Sequence, residues 1–237
     1  MWPSSATAKK EDGTLIGKCR RQAFFRYAKD SYYFYDKYDS LENLISHIEQ
    51  NEIPVSFYTQ WLWQQGELYE KHCINLSKES GVYIATQTAI YVPKYNISGK
   101  IDLIVVNPET TKMHIVEIKS VYGFNANSVL GTEAQQRKGN LGTPRESHLM
   151  QIGLYQWWYG NNDERFSEGL LVYGARDTGR FAEYKITVEK QDGEEYIFYK
   201  GNTPIKTSKV NSGIKIKDIL YNYKFIQESL DKNQIPK

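Results

Sequence analysis

ISGKIDLIVV (97–106), NPETTK (107–112) and MHIVEIKS (113–120) decide how this chain folds. The two outer stretches are rich in β-branched and aliphatic residues, and Asn107-Pro108 breaks any regular element between them. The spacing therefore predicts strand, turn and strand, a β-hairpin. With the turn centred in NPETTK, Val106 faces Met113, and counting back sets Asp102 opposite Glu117. Residues i and i+2 share a strand face, so Lys119 points the same way as Glu117. Facing residues have Cβ atoms roughly 5 Å apart. Two carboxylates that close, flanked by Ile101, Leu103, Val105, Val116 and Ile118, repel each other unless a cation lies between them. Apolar neighbours on both faces also mark an interior strand rather than an ordinary charge pair on a solvated sheet.

Carboxylate oxygens with open positions for water and phosphate are what Mg²⁺ or Mn²⁺ takes. A lysine on the same face can position a water or steady charge on phosphoryl oxygens. The pattern points to phosphodiester hydrolysis. A glycosidase would also use two carboxyls, roughly 5 to 10 Å apart in a sugar-sized cleft, but Lys119 beside them suits phosphate better.

Outward from the hairpin, Tyr58, Trp61, Leu62, Leu68, Tyr69, Cys73 and Leu76 recur at helical spacing and predict a helix from about Pro54 to Ser80, with Gly66, Glu70 and His72 on one flank. Residues 82–92 (VYIATQTAIYV) read as a strand. Residues 121–142 are too long for a structureless connection, which makes them a functional loop bordering the site or partly helical. Thr143-Pro144-Arg145-Glu146 has the form of an N-cap, a proline at the first helical position and a capping-box glutamate, and opens a helix to about Tyr159. GLLVYGAR (169–176), FAEYKITV (181–188) and EEYIFYKG (194–201) read as strands, and IKDILYNYKFIQESL (216–230) as a final amphipathic helix. Residues 17–38, GKCRRQAFFRYAKDSYYFYDKY, mix arginines with aromatics and read as a helix with a packing face or a base-stacking surface.

The 237 residues, 40% hydrophobic and 24% charged, suit a globular protein, expected as a single domain. Cys19 and Cys73 are too few for a disulfide framework and read as buried apolar side chains in a reducing setting. No run of about 18 apolar residues and no signal layout occurs, so a cytoplasmic, non-secreted protein without membrane association is expected. The net charge of +2 is uneven. Residues 1–29 carry seven bases against two acids, residues 30–70 eight acids against Lys37, and residues 200–237 eight lysines against three acids. Basic ends around an acidic middle suit phosphate binding beside a metal site.

Together, Asp102 and Glu117-Ile118-Lys119 resemble the PD-(D/E)XK nuclease superfamily. Gln151-Ile152-Gly153-Leu154-Tyr155 resembles the Q-x-x-x-Y signature of its RecB-like and Cas4-like branch, on the helix after the E-x-K strand. Gly66-Glu67-Leu68-Tyr69-Glu70 is similar to the turn from which this superfamily often draws a further metal ligand, with Glu70 the candidate and His72 its rival. The match covers roughly residues 60–160. The proline of the superfamily's name is missing, since Lys100 and Ile101 precede Asp102, and so are the C-terminal cysteines of an iron–sulfur cluster, so none is expected.

The resemblance implies a restriction-endonuclease-like α/β core at about 55–190, a mixed central sheet flanked by helices. An N-terminal aromatic and basic helical region (1–53) and C-terminal strands and helix (191–237) would be additions. It implies one or two Mg²⁺ or Mn²⁺ ions held by Glu70, Asp102, Glu117 and the Ile118 carbonyl, with Lys119 assisting the nucleophile and Gln151 and Tyr155 orienting substrate. DNA, as single strands or duplex ends, is the implied partner, alongside helicase or recombination proteins in a bacterial or phage-infected cell. Arg20, Arg21, Lys138 and Arg145 are candidate phosphate contacts by charge and nearness to the motifs. An exonuclease is favoured because no separate sequence-reading module is present. The alternatives are a site- or structure-specific endonuclease of the same fold and a catalytically idle DNA-binding scaffold.

Overall fold

The computed structural model describes residues 1, 3–10, 12–28, 56–201, 208–232 and 234. The expected helical continuation of residues 29–38 lies outside them. A seven-stranded mixed sheet is the centre: β3 (Tyr83–Val92), β4 (Ile97–Val106), β5 (Met113–Val121), β6 (Glu168–Ala175), β7 (Phe181–Gln191), β8 (Glu194–Gly201) and β9 (Val210–Lys215), neighbouring one another in chain order. All pairs are antiparallel except β5–β6, which is parallel. A parallel pair needs a crossover, and residues 122–167 provide it with α3 (Phe124–Leu130), α4 (Glu133–Arg137) and α5 (Glu146–Asn162).

Strands β8 and β9, expected as additions, continue the same sheet. The reason is the tight Asp192-Gly193 turn, which lets β7 and β8 pair from Gln191↔Glu194 to Tyr184↔Gly201. At the N-terminal end, β1 (Thr7–Lys9) and β2 (Leu15–Gly17) form a separate two-stranded sheet, followed by α1 (Arg20–Ala28). The last helix is α6 (Ile216–Asp231), which buries Ile216, Ile219, Leu220, Tyr223 and Ile226 at helical spacing.

Alternation along β5 assigns the two faces. Ile115 belongs to the large core shared with Leu149, Met150, Ile152 and Tyr155 of α5, whereas Val116 and Ile118 belong to a smaller cluster with Tyr69, Cys73 and Ile74. Those last three lie on α2 (Phe57–Glu79), so α2 covers one face while α5 covers the other. Helix α2 starts at N-cap Ser56, whose Oγ accepts the Thr59 N–H at 3.2 Å. Among the described residues, no helix is long and apolar enough to cross a membrane.

Glycine fixes how closely α2 approaches the sheet. A Cβ on Gly174 of β6 would stand 1.9 Å from the Tyr69 ring, and one on Gly66 would stand 3.2 Å from Ser120 Oγ. Gly174→Ala is therefore expected to push Tyr69 off the sheet and destabilise the fold by about 1–3 kcal/mol, as overpacking does. Urea unfolding measures this, and an unchanged midpoint would mean that Tyr69 has room to swing aside.

Two local expectations fail. Thr143 is not the cap of α5: its N–H donates to Ser128 O at 2.9 Å, and Arg145, in extended conformation, is the N-cap with no side-chain hydrogen bond. The capping box of this region is instead Thr132 with Gln135, on α4. Cys19 is exposed rather than buried, because it sits at the start of α1, where its carbonyl accepts the Ala23 N–H at 2.9 Å. Cys73 is half-buried against Leu103 and Val116.

Candidate active site

Val106 pairs with Met113 and Leu103 with Val116, the register expected from the turn. The ladder ends there. One position further, Asp102 and Glu117 no longer pair; the Asp102 carboxylate instead accepts the Ile118 N–H at 2.8 Å through Oδ2. The side chain thus occupies a place that a backbone carbonyl would hold in a continuing sheet, and β4 and β5 part around it. Thr86 of β3 donates its hydroxyl to the Asp102 carbonyl at 2.7 Å, anchoring the residue from the other side.

Glu117 is completely buried. Its Oε1 accepts a hydrogen bond and ion pair from Lys119 Nζ, while Oε2 has no hydrogen-bond partner. A buried, unpartnered carboxylate oxygen is costly. Burial pushes the Glu117 carboxyl up to about 8, against the pull of Lys119 and with reinforcement from Asp102 and Glu70. Asp102 is also raised by burial, opposed by Lys119 and the Ile118 N–H. Burial would lower Lys119, but Glu117, Asp102 and Glu70 together hold it above the ordinary lysine value. Glu70 is raised by burial and then by Asp102, and its Oε1 accepts the Gln87 side-chain amide at 2.6 Å. Glu70 of α2 thus acts electrostatically on the Asp102, Glu117 and Lys119 group of β4 and β5.

His72 does not join it. Two residues beyond Glu70, it sits about 200° further round α2, and it is exposed. Gln151 and Tyr155 are both buried on α5. Tyr155 donates its hydroxyl proton to the Lys100 carbonyl at 3.1 Å, and Gln151 donates to the hydroxyl oxygen. The pair therefore supports the β4 backbone behind the carboxylates, with Glu117 and Asp102 acting on Tyr155 electrostatically. Gly99 leaves room for that hydroxyl, which would stand 2.8 Å from a Cβ there.

The candidate phosphate contacts come from different elements. Arg20 donates to Asn222 Oδ1 at 2.5 Å and lies 4.9 Å from the Phe225 ring, so it ties α1 to α6. The Arg21 side chain lies outside the described part. Lys138 is exposed at the end of α4. Arg145 is exposed, and its N–H donates to Tyr173 Oη at 3.1 Å.

Two further groups adjoin the centre. His148 Nδ1 lies 2.8 Å from Tyr173 Oη, and Tyr173 pairs with Lys119 across the β5–β6 seam. The Tyr173 oxygen also accepts the Arg145 N–H, and it shares a proton with Nδ1 in the direction that the imidazole tautomer sets. Burial, Lys119 and Arg145 hold the imidazole down at about 3. His148 stands three residues before Gln151 on the same helix face, a spacing legible in the sequence. Gln87 carried no such signal.

The chain matches no protein-family model and no curated protein. Hard oxygen donors raised by burial and mutual repulsion, one of them orphaned at Oε2, fit a divalent cation. Among the described residues, however, no three His, Cys, Asp or Glu side chains already close round a common point. Internal partners hold their oxygens: Lys119 on Glu117, the Ile118 N–H on Asp102 and Gln87 on Glu70.

Proposed function

We propose that this protein is a metal-dependent nuclease of restriction-endonuclease-like fold that hydrolyses DNA phosphodiester bonds, acting on single strands or DNA ends. The observation that carries the reading is Glu117: a wholly buried carboxylate, paired with Lys119, with Oε2 unpartnered and with Asp102 and Glu70 acting on it. Carboxylates raised by burial around one ammonium are costly to a fold and gather at functional sites. The parting of β4 and β5 and the crossover that lays α5 over the seam support the same reading.

Asp102, Glu117 and the Ile118 carbonyl would hold Mg²⁺ or Mn²⁺, with Glu70 as the further carboxylate, and a bound ion would supply Lewis-acid polarisation of the phosphate and a more acidic water. Lys119 orients the attacking water and offsets the charge that builds on the phosphoryl oxygens. Tyr155 and Gln151 keep the Asp102 segment of β4 in place. His148, held neutral by burial and by Lys119 and Arg145, brings a hydrogen-bonding ring beside Lys119 without adding charge.

Exposed aromatics support single strands or ends as substrate. Trp63 lies on the flank of α2 that carries Glu67 and Glu70, at i+4 and i+7. Tyr122 and Phe124 follow directly on β5, and all three are more than half exposed. Arg176 links the two places, donating its N–H to Val121 O at 2.9 Å and Nη1 to Leu62 O at 2.7 Å. Aromatic faces beside a phosphate-cutting centre suit unpaired bases, which stack without regard to sequence.

A second reading, a DNA-binding subunit with an idle centre, draws on the Lys119 contact that occupies Glu117 Oε1. One experiment separates them: incubation of end-labelled single-stranded, blunt duplex and circular DNA with Mg²⁺, Mn²⁺ or EDTA. Metal-dependent loss of linear DNA with intact circles is expected. Binding equally strong in EDTA, with no cutting under either metal, would establish the scaffold.

A further inference from the structure

Four described non-glycine residues have positive φ: Gln87, Asn96, Thr111 and Asp192. Asn96 ends the short 3₁₀ turn between β3 and β4, Thr111 lies in the β4–β5 turn and Asp192 in the β7–β8 turn. Gln87, at φ +51°, is inside strand β3. Asparagine and aspartate tolerate the left-handed region through local hydrogen bonds of their short side chains, but glutamine has no such help. Backbone held there inside a strand marks a place where the surroundings enforce an unfavourable conformation.

Gln87 is exposed, and it borders the candidate centre. Its neighbours Thr86 and Thr88 pair with Leu103 and Ile101, so Gln87 stands across from Asp102. Its side chain leaves the strand to donate an Nε2 hydrogen bond to Glu70 Oε1 at 2.6 Å. Glu70 comes from a different element, and the other hydrogen bonds on this flank, from Thr86 and Ile118, fix Asp102 and not Glu70. The left-handed turn at residue 87 thus aims the one side-chain hydrogen bond described for Glu70.

We propose that Gln87 is a positioning residue: its left-handed backbone and side-chain amide together fix Glu70 as the third carboxylate toward a divalent cation. The role rests on the nuclease reading of the same centre. A ligand held by an outer partner loses roughly 10- to 100-fold in metal affinity when that partner goes. Glutamine at a left-handed position also costs stability that glycine would not, so affinity and stability move in opposite directions on substitution.

Mn²⁺ calorimetry without DNA, thermal unfolding and the Mn²⁺ dependence of cleavage test this on Gln87→Gly and Gln87→Asn. The first suits the backbone; the second keeps an amide but is one methylene too short to reach Glu70. Both should bind Mn²⁺ roughly 10- to 100-fold more weakly, recover most of their cleavage at saturating Mn²⁺, and unfold no earlier than wild type. In a Glu70→Ala background, Gln87→Gly should change Mn²⁺ affinity no further, because the group it acts through is gone. Variants that bind Mn²⁺ like a wild type that binds and cuts would overturn this role alone, as would a Gln87→Gly protein that unfolds earlier. A wild type that neither binds Mn²⁺ nor cuts would overturn the nuclease reading and the role with it.

Discussion

Lys119→Ala is expected to lower metal-dependent DNA cleavage by about a thousandfold, the scale of removing a charge-stabilising group from a preorganised site. Among the described residues Lys119 is the cation that acts on Glu117, and its Nζ contacts Oε1 directly. Without it, both oxygens of a wholly buried carboxylate lack that partner, and Glu117 binds its proton more tightly. The stability consequence has a definite sign. A carboxyl whose folded pKa lies above its unfolded value makes the fold lose stability as pH rises from the unfolded to the folded pKa. Raising that pKa further widens the window, so the variant falls further behind wild type at pH 9 than at pH 5. Breaking a buried pair costs about 3–5 kcal/mol when the remaining charge cannot neutralise, which bounds the alkaline limit. Cleavage at the wild-type rate, from folded variant, would remove Lys119 from the chemistry.

Mn²⁺ affinity should climb steeply with pH, by up to about tenfold per unit from pH 6 to 8 for each proton displaced, and level off above. The Glu117 carboxyl, pushed up to about 8, must lose its proton before its oxygens can bind a cation, and Asp102 and Glu70 are raised in the same direction. In the metal-free protein, the contribution of Glu117 is fully present below its unfolded value of 4.5 and is lost as pH rises through about 8. Bound Mn²⁺ should reverse that trend, so the gain in Tm on adding Mn²⁺ grows with pH. Calorimetry in buffers of different ionisation enthalpy counts the protons released. An affinity flat between pH 6 and 8 would exclude Glu117 from the ligand set.

The hairpin and its register were legible because a period of two and one Asn-Pro turn determine them, down to Val106 opposite Met113. What pattern could not show is where the ladder stops. Whether Asp102 pairs through its backbone or takes the Ile118 N–H with its carboxylate depends on how far the strands have diverged, a property of the assembled sheet. Placing His72 on one flank with Glu70 fails because two residues turn a helix by about 200°, while Gly66, Tyr69 and Cys73 set the inner face of α2. The α5 start was misplaced because Thr143, suited to capping by composition, had its backbone engaged by Ser128. Strands of three residues, such as β1 and β2, are too short for any periodicity. β9, reading VNSGIK with Gly213 at φ +71°, has no apolar alternation to find. Nothing in a single sequence marks Gln87 as left-handed.

The order of strands across the sheet repeats their order along the chain. Two antiparallel meanders, β3 to β5 and β6 to β9, can each zip from contacts between near neighbours, which form quickly. Only the β5–β6 seam requires a long loop of chain to close, and that loop carries α5. Asp102, Glu117 and Lys119 belong to the first meander, while Tyr155, His148 and Tyr173 arrive with the closure. Until the seam forms, the acidic side chains stand in water, hydrated and ionised at neutral pH. Joining the two halves is thus the same event that dehydrates them, and folding itself raises the hold of both carboxyls on their protons.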